Sequence, residues 1–531
     1  MPKIFYGAGL NENQFPHPSE AASLSYNFEL QKDSNYLTPR RAFDLKGTAP
    51  SWTSVVTPEI RGLMQLVKRD GTETTLVQAL DRVYKWDGAS TFSSVASVSS
   101  TCQLRDAYWA LDDYMVVTDL QKAQVVSRWT GTTWSAHPTG LSNPLYAKYG
   151  VVHQGRLWLA NITETNVVTP HMIIASTFES ATSFRTDNRA VSGSFTTGLE
   201  AFYMLTPDLK PVNAMTVMHT DLIISTEDGK LYRLTGSSAE DFAWTEFYPR
   251  SNAIGNESVV NAGNDVFYMR TGGNIESVLA TQNYGDVSAD DISRWIPNTV
   301  FQKTGCIAVY DQSFQRVLFF LDNGKCLVLF KDILYGGAVV DESGQKAKLS
   351  PWSVYRTALD SNLDVSAAKY MRRPGTTDYS VYFGGPNGEI YDFNGTGRNG
   401  DGGTTPISTV RRLRFLGKEQ GIDYIKNIAK GTVQYVRLGE CDFNIEFEYS
   451  GEYNNSNAAV RLKGQGGLDA SFWGPGEDQA FWGGNFYWGT RDKADFYLSH
   501  TNFDNVGRGR VMTAVFSTDT NVRFQVNHVE L

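Results

Sequence analysis

Cysteine is scarce: Cys102, Cys306, Cys326 and Cys441 are the four among 531 residues. None lies in a CxxC pair, and their spacing suits neither zinc nor a dense disulfide framework. The plain reading is buried free thiols in a chain that folds in a reducing cytoplasm, with one bridge between Cys306 and Cys326 left open. Long hydrophobic runs are missing as well. No window approaches the ~18 apolar residues that a bilayer span requires, and Met1 to Gly9 lacks the apolar run of a signal peptide. Basic excess is absent, since 48 Lys and Arg face 57 Asp and Glu, for a net charge of −9. Gripping nucleic-acid phosphates takes clustered cations; an acidic wall suits a passage through which DNA slides without sticking. Catalytic signatures are lacking too. The seven histidines are scattered with no HExxH, and there is no GxSxG elbow, P-loop or GxGxxG after a strand.

Aromatic residues and glycine are what the chain has in quantity. Aromatics make up 13% of it and 48 residues are Gly, a balance that favours pleated, half-buried strands closed by tight turns. The organising stretch is Val83-Tyr84-Lys85-Trp86-Asp87-Gly88-Ala89-Ser90-Thr91-Phe92, because Val126-Ser127-Arg128-Trp129-Thr130-Gly131-Thr132-Thr133-Trp134 repeats its pattern. Trp86 and Trp129 stand 43 residues apart. Short strands and turns at a period of about 40–50 residues signal β-propeller blades. One such unit cannot bury its own apolar faces, so blades must stack around an axis.

Followed along the chain, the pattern yields seven units of one grammar: an apolar strand, a Gly-containing turn, and an alternating strand. Val83, Val126, Ile173, Leu231, Ile275, Leu327 and Ile390 mark them, at gaps of 43 to 63 residues. The wide gaps imply insertions, such as Asp286 to Trp295 and Asp332 to Lys348. The expected fold is all-β: an irregular propeller of six to eight blades, seven fitting best, with an N-terminal arm and a C-terminal β-sandwich-like platform. The domains read as an arm over 1–50, a propeller over 51–400 and the platform over 401–531. The turn-rich stretch from Asn394 to Gly403 marks the second boundary. An arm of this kind forms no core alone and should dock on the platform or on a neighbour.

Candidate sites are few. Asp286, Asp290 and Asp291 make a small acidic group, but the glycine and terminal Glu of a calcium loop are missing. Glu477 and Asp478 would suit glycosidase chemistry only if they faced each other across a groove. No cofactor and no metal is expected. Trp473, Trp482 and Trp488, amid Gly and Pro, read either as a sugar-stacking or protein-docking platform or as core filling of the C-terminal unit. Arg411-Arg412-Leu413-Arg414 and Arg508-Gly509-Arg510 are basic clusters suited to salt bridges with an acidic neighbour or to phosphate contact.

Ile254-Gly255-Asn256-Glu257-Ser258-Val259-Val260-Asn261-Ala262-Gly263-Asn264-Asp265-Val266-Phe267-Tyr268-Met269, followed by Gly272-Gly273 and Asp291-Ile292-Ser293, resembles the central part of tail nozzle proteins of short-tailed bacteriophages. These are also called tail tubular protein B or tail hub proteins. The end, from Gly507-Arg508-Gly509-Arg510 to Val529-Glu530-Leu531, is similar to the family's closing strands, and Asn27 to Arg41 is like its opening arm. One departure is that Ala42 and Phe43 follow Arg40-Arg41, where the family carries a glycine. The resemblance implies a non-enzymatic virion protein of the tail, assembled in the host bacterial cytoplasm as a homo-hexameric ring. Its partners would be the tail adaptor, tail fibres or spikes, and viral DNA passing through the lumen. Arg40, Arg41, Trp473, Trp482 and Trp488 are then candidate partner contacts. The alternatives are a carbohydrate- or receptor-binding propeller and a propeller glycoside hydrolase.

Overall fold

The fold is taken from a computed structural model. It describes 27–30 and most of residues 40–395 with side chains, and the backbone of strands at both chain ends. Outside the described residues lie 6–21, 31–36, 52–56, 138–143, 185–198, 279–290, 341–345, 357–362, 396–406, 416–425, 437–440, 451–455, 463–497, 521–524 and several shorter gaps.

Seven antiparallel sheets succeed one another along the chain and around an axis. Blade 1 runs through Ile60–Val67, Glu73–Ala79, Arg82–Trp86 and Phe92–Ser97. Blade 2 is Leu104–Trp109, Tyr114–Asp119, Ser127–Trp129 and Trp134–Ala136. Blade 3 uses longer strands, Leu145–His153, Arg156–Glu164 and Val167–Ala175, with Phe202–Leu205 outermost. Blade 4 comprises Val212–Met218, Asp221–Thr226, Lys230–Thr235 and Ala243–Pro249. Blade 5 shows three strands, Val259–Asn261, Val266–Met269 and Ile275–Ser277. An isolated bridge, Glu276 to Asp291, covers part of its outer edge. Blade 6 is Cys306–Asp311, Arg316–Leu321, Cys326–Phe330 and Trp352–Tyr355. Between its last two strands it carries a short helix, Lys331–Gly336, and a hairpin, Ala338–Val340 with Lys346–Lys348. Blade 7 is Ala367–Arg372, Tyr379–Gly384 and Glu389–Asp392, completed on its outer edge by Asp44–Thr48 from the chain's start. The molecule is a seven-bladed β-propeller.

Hydrophobic layers between consecutive blades hold the ring together, as stacked half-buried sheets require. Leu66, Leu76, Met115 and Trp129 fill the first interface, and Trp109, Leu157 and Ile174 the second. Trp158 and Ile224 fill the third. Blades 6 and 7 meet through rings: Phe320 lies 5.8 Å from Phe383 and 5.9 Å from Phe393. Ile60, Tyr84, Trp86, Tyr382 and Ile390 pack blade 7 against blade 1 and so close the circle.

Trp86 shows how the repeat becomes structure. It ends the third strand of blade 1, its indole N–H donates to the Ala89 carbonyl at 2.8 Å, and its ring meets Tyr382 edge-on at 5.7 Å. The turn beyond it is set by Asp87, whose carboxylate accepts from the Ala89 and Thr91 amides at 2.8 and 3.1 Å. Gly88 supplies the positive φ of +89°. Trp129 ends the third strand of blade 2 in the same way and pairs with Trp134.

The propeller takes in more of the N-terminus than a boundary at residue 50 allows. The outer strand of the last blade comes from 44–48, because a segment ahead of the first blade pairs with the last blade and seals the ring. The first strands also join the last ones. Lys3–Phe5 and Leu37–Pro39 pair with Gln525–Glu530. Ala22–Tyr26 lies between Trp352–Tyr355 of blade 6 and Ile407–Phe415. One nine-stranded sheet therefore runs from the innermost strand of blade 6 out to Ser456–Leu462.

Cys306 and Cys326 do not sit on neighbouring strands. The Arg316–Leu321 strand separates them, and both are buried free thiols. Burial pushes both of them up from the usual thiol range, and takes the Cys102 thiol to about 12.

Candidate functional site

Two places gather charged side chains of the propeller: the junction with the N-terminal arm, and the axis. The junction begins at Asn27, which sits at φ 60°. Its N–H donates to the Val354 carbonyl at 2.8 Å, and its side-chain oxygen accepts from the Arg356 amide and from Arg40 Nε, each at 2.9 Å. Arg40 donates onward to the carbonyls of Arg41 and Arg356 at 2.8 and 2.7 Å. Its guanidinium carbon stands 3.8 Å from the centre of the Phe43 ring. Arg40 is buried, and its guanidinium is held by contacts within the chain. A sequence reading assigns such an arginine to the surface because burial of a guanidinium is costly; here enough acceptors surround it to offset that cost. Arg41 is exposed and stacks over Phe314 at 4.7 Å.

Arg316 forms the other half of the junction. It is buried, donates to Asp311 at 3.0 Å, reaches Glu29 of the arm at 3.4 Å, and also contacts Asn394. Asn394 donates to Asp311 in turn, at 2.9 Å. Burial alone would lower the Arg316 pKa; the fields of Tyr355, Asp311 and Glu29 outweigh it and raise it. The neighbouring Asp392 pairs with Arg373 at 3.0 Å.

On the axis the innermost strands of non-adjacent blades are joined. Arg105 of blade 2 pairs with Glu257, just ahead of the first strand of blade 5. Lys369 of blade 7 pairs with Asp106 of blade 2, passing over blade 1. Gln65 ties blade 1 to blade 7 by accepting from the Arg372 amide and donating to its carbonyl, both at 2.8 Å. Burial brings the Arg105 guanidinium down to about 10, so it remains charged at neutral pH. Each cation on these bridges has a carboxylate partner, and the arrangement does bridging work: it pins blades across the axis.

Of the acidic group read from the sequence, Asp291 lies among the described residues. Asp291 accepts from Ser293 and Asn274, at 2.9 Å from the Ser293 amide and 2.8 Å from the Asn274 amide group. Glu276 accepts from Tyr268 at 2.6 Å and Arg270 at 3.0 Å. Asp286 and Asp290 lie outside the described residues, and among the described residues no three His, Cys, Asp or Glu side chains are grouped to hold a metal. Trp473, Trp482, Trp488, Glu477 and Asp478 also lie outside the described residues. Arg411, Arg412 and Arg414 fall on the Ile407–Phe415 strand, and Arg508 on Leu498–Gly509.

Sequence reasoning missed a set of buried polar residues that lock successive blades. Gln78 accepts from the Leu104 amide and donates to the Cys102 carbonyl, both at 2.8 Å. Asn161, at a bulge in blade 3, donates to Val212 of blade 4 at 2.9 Å, and Asn213 donates to Ala253 at 2.6 Å. Asp119 takes the amides of Gln103, Gln121, Ala123 and Gln124 at 2.8, 3.1, 2.6 and 3.0 Å. The available signal was a lone amide or carboxylate inside an apolar strand, which has to find a partner.

No protein-family profile matches the chain, and no curated protein sequence matches it. Solved structures do resemble it. Virginiamycin B lyase from Staphylococcus aureus is 11% identical, with 63% of this chain and 94% of that chain covered and a TM-score of 0.38. YCF48 from Cyanidioschyzon merolae is 12% identical over 66% of this chain and 98% of that one, at a TM-score of 0.38. The Cps50 (Swd1) β-propeller domain of Myceliophteria thermophila is 9% identical over 67% and 100%, again at 0.38. Likenesses at this level go no further than architecture.

Proposed function

We propose that the chain is a structural virion protein: a tail nozzle or hub subunit of a short-tailed bacteriophage. It would assemble as a homo-hexameric ring that channels DNA at ejection and anchors the tail adaptor and fibres. The observation that carries this reading is the placement of the chain ends. Both ends enter shared sheets on the blade 6 flank, and one of those sheets is continuous with the blade itself. The propeller is thus a body, and the described end strands are joined to one another and to its blade 6. A head-to-tail contact made by such a flank closes into a ring when the rotation per copy fits.

The bridged axis bears on where DNA would run. Arg105 with Glu257 and Lys369 with Asp106 cross the propeller's centre, so a duplex would pass through a lumen bounded by several subunits. The net charge of −9 suits a wall that does not hold phosphates. The resemblance of residues 254–269 and of both chain ends to nozzle proteins supplies the name of the assembly; the fold alone does not specify it.

The mass and glycan reactivity of the purified chain test the reading. A six-subunit ring, each subunit of 59.0 kDa, is expected by mass photometry. A stable monomer that binds or cleaves polysaccharide overturns it in favour of a carbohydrate-binding propeller or a glycoside hydrolase.

A further inference from the structure

Asn27–Leu30 and Arg40–Thr48 cross three parts of the molecule that are far apart in sequence. The first piece lies on the outer strand of blade 6: the Asn27 amide donates to Val354, and Ser353 Oγ donates to the Phe28 carbonyl, each at 2.8 Å. The second piece returns past the first, with the Arg40 amide donating to the Asn27 carbonyl at 2.8 Å. It then inserts Phe43 between Phe383 and Phe393, at 5.2 and 4.9 Å between ring centres. It ends as the outer strand of blade 7, pairing Asp44 with Asp392 and Thr48 with Glu389.

Two buried arginines stand at the crossing. Arg40 joins Asn27 to the Arg356 carbonyl, and Arg316 joins Glu29 to Asp311 and Asn394. Each touches both the arm and the end of a blade. A buried guanidinium that loses its acceptors is left uncompensated, so these contacts persist together or fail together. Beyond its ladder to Glu389–Asp392 the closing strand buries little: Leu45 is 41% exposed, and no residue of Asp44–Thr48 is fully buried. Its attachment therefore depends on Phe43 and on the arginine cluster behind it.

We infer that Asn27–Leu30 and Arg40–Thr48 act as one strap, which fastens the propeller at the seam between blades 6 and 7 and releases as a unit before the other blades open. The strap's first piece is itself part of an end sheet, with Phe28–Leu30 paired to Leu37–Pro39, and Ala22–Tyr26 just before it enters the other. Its release would loosen the ring at one seam and uncouple it from those sheets in a single step, while blades 2 to 5 keep their packing.

Native-state hydrogen exchange on the full chain tests this with the wild type and with Arg40→Met. In Arg40→Met, the amides of Asn27 and Arg40, of residues 44–48 and of Ala49 are expected to exchange faster together, by about tenfold or more. The Trp134–Ala136 strand of blade 2, an outer strand away from the strap, keeps its rate. A speed-up confined to 27–40, one spread over all seven blades, or no change at all overturns the strap. Should Arg40→Met not fold, the wild type in sub-denaturing urea decides: the strap amides share one opening of smaller denaturant dependence than the Trp158 strand. A common dependence with that strand overturns it.

Discussion

Asp119 shows how much a single side chain can organise in this fold. Four backbone amides from two segments converge on its buried carboxylate, and they set the turn that leads into the third strand of blade 2. Asp119→Ala leaves those donors without acceptors and should cost about 3 kcal/mol, as hydrogen bonds to buried charges do. Chemical denaturation of variant and wild type measures it. His137 is the residue that should make stability depend on pH. It sits between Tyr114 and Phe184, its Nε2 bonds to the Ala181 carbonyl, and burial lowers it to about 4 from 6.5. A histidine depressed on folding binds its proton more readily when unfolded. Its contribution is therefore whole above pH 6.5, declines as pH falls towards 4, and is gone below. His137 alone should lose the fold roughly 2 kcal/mol between pH 7 and pH 5. Denaturant titrations at the two pH values should show that difference shrinking in His137→Phe.

Among the elements, the third strand of each blade was the legible one. Val83, Ile173, Leu231, Ile275, Leu327 and Ile390 all fall within third strands, and Val126 directly precedes one. Most of these strands carry a buried apolar face with more open positions between and follow a tight turn, so apolar alternation and Gly reveal them. The closing strand Asp44–Thr48 was not legible, for two reasons. An outer strand half open to solvent shows no apolar alternation, and its partner lies at Glu389–Asp392, beyond any local pattern. The surroundings of Arg40 were not legible for a related reason: its acceptors, Asn27 and the Arg356 carbonyl, come from separate segments that only the fold brings together. The Trp86 turn offers a test at this scale. A Cβ on Gly88 would lie 2.5 Å from the Pro374 ring, at a φ that side chains rarely adopt. Gly88→Ala should lose about 2 kcal/mol through that clash and strain, while a Gly71→Ala control, which meets nothing within 4 Å, carries the φ penalty alone. Paired thermal melts separate the two contributions.

At the scale of the molecule, the blades close into a ring, and strands from both chain ends form sheets, one of them continuous with blade 6. Closure comes from apolar layers between blades, the strand from 44–48, and ion pairs over the axis. An axis crossed in this way gives the propeller rigidity and leaves outward-facing surfaces to carry function. The proposed role uses the chain that way, with the body as a wall segment and the ends as joints. The candidate partner residues Trp473, Trp482 and Trp488 belong to the C-terminal part, whose short aromatic and glycine patterns carry no periodic signal for placing side chains. The most direct measurement is a cryo-electron microscopy map of the intact virus particle. The account predicts six seven-bladed discs in a ring at the distal tail, around a lumen wide enough for duplex DNA, with each propeller axis closed. Particles that lack the chain, or that carry it as isolated copies away from the tail axis, would contradict it.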